Sequence, residues 1–152
     1  MTALRRILAL AATLPLAAAA AEPVGAETCK ACHPVAWEIW RAGPHARARE
    51  SLPERNRADS RCVGCHAPVE RSAGVTCEAC HGNGQLYARR YVMRDRELAE
   101  ALGLVAAPAE RSCLACHDES APSLGRFDPA RKLPLVRHGE ADREARRAAA
   151  QP

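Results

Sequence analysis

Large side chains are what this chain has least of. Trp37, Trp40, Tyr87, Tyr91 and Phe127 are its only aromatic residues, 3% of 152 positions, and much of its 47% apolar share is alanine. Alanine buries little area, so a chain of this length lacks the groups that ordinarily stabilise a core. Something other than side chains must fill the interior. Sustained apolar/polar alternation is missing too, which leaves little or no β structure to expect. No long Ser/Gly stretch interrupts residues 29–117, so there is no visible domain break. No apolar run reaches the roughly 20 residues of a membrane-spanning helix. Nor does one sign of charge dominate: 22 basic residues stand against 18 acidic ones. That excess is too small to imply nucleic acid or an anionic membrane as a partner.

The N-terminus carries an export pattern. Met1 to Arg6 holds two arginines and no acid, Ile7 to Leu16 is apolar except for Thr13 and Pro15, and Ala19-Ala20-Ala21 offers small residues at a cleavage point. This predicts a signal peptide over residues 1–21, a mature chain from Glu22 and a periplasmic location. Although Arg5-Arg6 is a twin arginine, its surroundings do not match a folded-export signal, so passage as an unfolded chain is expected. Cleavage removes Arg5 and Arg6 and no acid, which leaves 20 basic against 18 acidic residues, about +2. The remaining charge is uneven. Six arginines lie between Arg41 and Arg61, and Arg89, Arg90, Arg94 and Arg96 crowd another segment. Each cluster reads as a solvated face, or as charge for the carboxylates of a bound cofactor or of an acidic partner.

What the chain has in abundance is cysteine in one arrangement. All eight fall in C-x-x-C-H: Cys29, Cys32, His33; Cys62, Cys65, His66; Cys77, Cys80, His81; Cys113, Cys116, His117. Two intervening residues put both thiols on one side of a helical turn, where they reach the two vinyl groups on one haem edge. The next residue then brings an imidazole beneath the iron. A zinc ribbon has no use for a histidine after every pair. Cysteines so close make poor framework disulfides, and a thioredoxin-type motif would occur once. Four covalently attached c-type haems are therefore expected, and their ring area is what the missing aromatics leave unsupplied.

The fold class that follows is mainly α with long loops: short helices wrapped around four covalently bound haems. Pro34 suits the first turn of a helix through Trp37 and Trp40 that stops at Gly43-Pro44. Asp95 can cap a second, with Leu98, Ala101, Leu102 and Val105 on one face, and Pro108 can open a third leading into Cys113. Trp37 and Trp40 are expected to pack against porphyrin. The second and third motifs lie closest in sequence, so their haems are expected to be neighbours. The domain division is a signal peptide at 1–21, a tetrahaem cytochrome c domain at 22–138, and a flexible or helical tail at 139–152, outside the core.

Each proximal histidine leaves one iron position open, and what fills it separates a carrier from a catalyst. Histidine or methionine closes the site, methionine raising the potential. Only His45 and His138 lie outside the motifs, and Met93 is the one methionine beyond the leader. These three are the candidate distal ligands, although core filling is the commoner role of methionine. His45 is expected to serve a haem other than the one at Cys29 and Cys32. Three ligands for four irons leave at least one open, or held by a weaker group such as Tyr87, Lys30, Lys132 or the N-terminal amine. The expected place is the haem at Cys77 and Cys80 or a close neighbour, because the ligand-poor segment Gly82 to Met93 follows it.

The opening A-E-T-C-K-A-C-H-P-V-A-W-E-I-W-R-A-G-P-H-A-R-A and the stretch G-V-T-C-E-A-C-H-G-N-G resemble the tetrahaem cytochrome c-554-like family. The resemblance runs roughly from Ala26 to His138. It implies kinship with multihaem nitrite reductases and hydroxylamine oxidoreductases, and a distal-ligand role for His45. It also implies stacked haem pairs and electron transfer in the nitrogen or sulfur cycle, with an open haem in one class of members. Where family members often place a distal histidine six residues after the third proximal one, this chain has Tyr87.

The expected function is electron transfer between periplasmic or membrane-bound redox proteins rather than catalysis. The alternative is a small haem enzyme reducing or oxidising nitric oxide, hydroxylamine or a similar molecule at an open iron. An enzyme would also need an acid or base beside the iron, and no constellation in the sequence selects one.

Overall fold

The computed structural model describes residues 20–70, 73–118, 126–149 and 151. All but the last two positions of the expected signal peptide lie outside these. The described chain is helical, with no strand among the described residues. Eight α-helices follow one another: α1 Ala26–Lys30, α2 Pro34–Ala42, α3 Ser60–His66, α4 Glu78–His81, α5 Arg96–Ala101, α6 Glu110–Leu114, α7 Pro129–Lys132 and α8 Gly139–Ala149. Single 3₁₀ turns lie at His45–Arg47, Glu54–Asn56, Val92–Arg94 and Leu133–Leu135. Most helices are too short to persist alone in water, so what they pack on holds them.

Helix α2 begins with Pro34 in its first turn and stops at an extended Gly43. Asp95 caps α5 by accepting from the Leu98 amide at 3.0 Å. The face that α5 buries is not the expected one. Ala99 is buried, whereas Leu98 and Val105 are exposed and only Leu102 packs inward. The helix is too short to extend an apolar stripe to Val105, because the chain turns at Gly103 with φ +104.

Two small apolar clusters hold the described chain. One is Leu52, Val63 and Ala67; the other is Tyr87, Val92 and Ala99, with Met93, Leu102 and Leu104 against it. Neither is large enough for a core of ordinary type, in keeping with the scarcity of big side chains. Polar ties add to them. The buried Glu78 carboxylate accepts from the amides of Val24 at 2.9 Å, Gly25 at 2.8 Å and Gly84 at 2.7 Å. This one residue pins the segment before α1 to the turn after α4.

The C-terminal segment corrects an expectation. Residues 139–149 form helix α8, which packs on α2 and buries Asp142 at 3% exposure. Its lack of an apolar stripe had pointed to a position outside the core. The polar tie is a hydrogen bond between His33 and the Asp142 carboxylate, and apolar periodicity does not register such contacts.

Candidate metal centres

Each C-x-x-C-H closes a helical turn. The amides of His33, His81 and His117 donate to the carbonyls of Cys29, Cys77 and Cys113 at 2.9, 3.0 and 2.9 Å, and the second motif lies within α3. The turn sets both sulfurs and the imidazole of a motif on one short stretch of backbone. Glycine at 82 is what lets the third motif end there. Its φ is +83, and a Cβ would sit 2.6 Å from the Gly103 carbonyl. The same close approach brings the Val105 carbonyl to His81.

Three proximal histidines have their Nδ1 committed. His66 meets the Ala48 carbonyl at 2.7 Å, His81 the Val105 carbonyl at 2.7 Å, and His33 the Asp142 carboxylate at 2.8 Å. A proton held on Nδ1 leaves Nε2 as the free lone pair. Burial holds His45, His81 and His117 below the ordinary histidine value, so their rings are neutral, the metal-binding form, at pH 7. His117 also stacks on Phe127, ring centres 4.3 Å apart.

The histidines outside the motifs are brought to motif histidines. The ring of His45 lies 6.0 Å from that of His117, and the ring of His138 lies 5.9 Å from that of His81. His45 thus faces the fourth motif and not the first. Its backbone is held by Val75, whose amide donates to the His45 carbonyl at 2.9 Å. Gly74 allows this approach, since a side chain there would run into the carbonyls of His45 and Ala46. His138 donates Nδ1–H to the Val136 carbonyl at 2.9 Å. The third motif, expected to be ligand-poor, therefore has a histidine across from it. Among the described residues, His33 and His66 are the motif histidines that no other imidazole faces. Met93 lines a cavity of about 320 Å³ together with Cys32, His33, Arg90, Arg94 and Arg146.

The weaker candidates are engaged elsewhere. Tyr87 is buried and donates its hydroxyl to the Gly82 carbonyl at 2.6 Å, and burial pushes its pKa up. Its place in the second cluster is structural. Lys30 sits 4.1 Å above the Trp37 ring and pairs with Glu27, and Lys132 ends the short α7. Trp40 donates its indole N–H to the Val75 carbonyl at 2.7 Å, while Trp37 is buried against it.

The sulfurs show how the motifs are arranged. The Cys29 and Cys77 side chains are neighbours, as are those of Cys65 and Cys116 and those of Cys80 and Cys113. The spatial order is first, third, fourth, second. The second and third motifs lie closest in sequence, but in space the second meets the fourth, and the third meets the first and the fourth. Sequence reasoning also passed over Glu78 and Asp142. Glu78 stands inside the quoted C-E-A-C-H-G-N-G stretch, which was its signal; Asp142 is one charge among many in its helix and had none.

Residues 28–82 match the family described as cytochrome c554 and c-prime. The chain is also similar to cytochrome c-554 of Nitrosomonas europaea, 29% identical over 40% of this chain and 38% of that protein. It thus spans well under two thirds of that relative's length. No solved structure matches it.

Proposed function

From a chain that is cytochrome c-554-like over residues 28–82, we propose a periplasmic carrier that holds four c-type haems and moves electrons between soluble or membrane-bound redox proteins. The observation that carries this reading is the pairing of imidazoles, 6.0 Å for His45 with His117 and 5.9 Å for His81 with His138. With metal–nitrogen bonds of about 2 Å, two imidazoles on opposite sides of one iron have ring centres about 6 Å apart. Ring–ring contact alone reaches the same separation. It gives no reason, however, for each pair to hold one member that closes a C-x-x-C-H turn. Nor does it explain why Nδ1 of both His81 and His138 is committed to a carbonyl.

Haem bound at these motifs supplies one-electron chemistry at its iron. The chain's own residues do the rest. Cysteine pairs would hold the haem edge, and histidines would bind the iron, with Nε2 left free at His33, His66, His81 and His138. Arg90, Arg94 and Arg146 line the cavity beside His33, where their charge suits haem propionates. The order in which the thiols meet supports one continuous path from the first motif to the second. In the same reading, residues 1–21 are a cleaved leader, 22–138 the haem domain and 139–152 a helical arm.

A second reading rests on His66. No imidazole faces it among the described residues, so an iron at Cys62 and Cys65 would have room for a small nitrogen compound such as nitric oxide or hydroxylamine. Intact mass of the denatured protein tests the first reading. It should show four haem additions on a chain beginning at Glu22, and a colourless or zinc-loaded protein would end it. Carbon monoxide added to the reduced protein tests the second, which fails if no haem binds it.

A further inference from the structure

We propose that Asp142 makes the iron held at Cys29, Cys32 and His33 more electron-rich than a neutral acceptor behind His33 would leave it. The inference rests on the tetrahaem reading and adds a residue that tunes one of its sites.

The observation is a difference among otherwise similar groups. Nδ1 of His66, His81 and His138 each meets a neutral backbone carbonyl. Nδ1 of His33 meets a carboxylate, Asp142 Oδ2, at 2.8 Å. A hydrogen bond to an ionised acceptor is roughly twice as strong as one between neutral groups. A carboxylate behind a metal-bound imidazole also raises the basicity of the ligand. The imidazole then gives more density to the metal and favours Fe(III) over Fe(II).

Helix packing alone does not explain this carboxylate. Burying a charge costs free energy unless it is well paired. Helix α8 carries Glu140 and Glu144, which stay exposed, while Asp142 is 3% exposed. Among the described residues, the side chains that meet its Oδ2 are His33 and Arg146, the latter with Nε at 3.0 Å, and Oδ1 is buried with no hydrogen-bond partner there. An apolar residue would have docked the helix without that cost. Arg146 shares Oδ2 with His33, so it holds the carboxylate in place and draws off part of its charge. Asp142 is a positioning residue, acting on the iron through His33.

The two residues should therefore move the same iron in opposite directions. Reduction here is one electron added per iron with no bond broken, dithionite being the donor. In the full-length holoprotein, Asp142→Asn keeps the shape and a hydrogen bond but removes the charge. One haem should become easier to reduce, its Fe(II)/Fe(III) ratio at fixed potential rising about tenfold, ~59 mV for a one-electron couple. Asp142→Glu should return most of that shift, and Arg146→Gln should shift the same haem the other way. The haem that moves is identified by its loss in the Cys29→Ser/Cys32→Ser variant. A purely structural carboxylate predicts that Asp142→Asn and Arg146→Gln loosen the helix alike and shift potentials in one direction or not at all. Either result overturns the proposal. If Asp142→Asn does not fold, Asp142→Ser removes the same charge from behind His33, and the same haem must again become easier to reduce. A wild-type protein without four haems would sink the carrier reading instead, which mass spectrometry reads before any titration.

Discussion

The third and fourth motifs differ from the first and second in what faces their histidines. His81 and His117 each look onto a histidine from a remote segment, His138 and His45. His33 looks into a cavity with Met93 and three arginines, and among the described residues His66 has no imidazole across from it. The local turns are nearly alike, so the C-x-x-C-H spacing does not produce the difference. It comes from where the chain returns: Gly74-Val75 hold the backbone of His45, and the segment before α8 delivers His138. Identical attachment sites acquire different chemistry from groups far off in sequence.

The comparison can be broken most severely at the attachment level. Replacing Cys77 and Cys80 by serine should remove one haem mass and unfold much of the chain, since these sulfurs lie between the first and fourth motifs in space. Mass and far-ultraviolet circular dichroism would read this. Next in size are the facing histidines. His45→Ala and His138→Ala should each turn one haem from low to high spin with all four still attached, seen as a new high-spin electron paramagnetic resonance signal. Absence of that signal would mean the 6 Å pairs are ring contacts only. Met93→Ala sharpens the other half of the comparison. If Met93 reaches the iron at His33, the share of haem binding carbon monoxide should rise from about one in four to about two in four. An unchanged share would leave Met93 as packing beside Tyr87 and Val92.

Smaller effects test the scaffold. Glu78→Ala strands three amide donors and should cost about 3 kcal/mol of stability, measured by urea unfolding of the holoprotein. Gly74→Ala should cost about 2 kcal/mol through overpacking and displace His45, broadening only the spectrum of the fourth haem.

What could be read directly from residues was what is local. The four attachment turns, the Pro34-to-Gly43 helix and the Asp95 cap follow from short spacings and backbone chemistry. The candidacy of His45 and His138 followed from counting histidines, but their partners depend on how distant segments pack, which no spacing encodes. Tyr87 illustrates the same gap. Its position in sequence nominated it as a stand-in ligand, while its hydroxyl is used on the Gly82 carbonyl five residues away. Helix α8 escaped because a single buried carboxylate leaves no periodic trace.

The His33–Asp142 contact also bears on the order of assembly. The two residues are 109 positions apart, and a chain is synthesised N-terminus first, with early segments able to fold before later ones emerge. The first attachment site is thus complete in its thiols and proximal imidazole long before its carboxylate exists. The iron there would pass through maturation with one set of electronic properties and take on another when the last helix docks. Full-length synthesis would then be a condition for the finished potential of the first haem, and a chain cut short before Gly139 would carry its haems yet hold that one at the wrong poise.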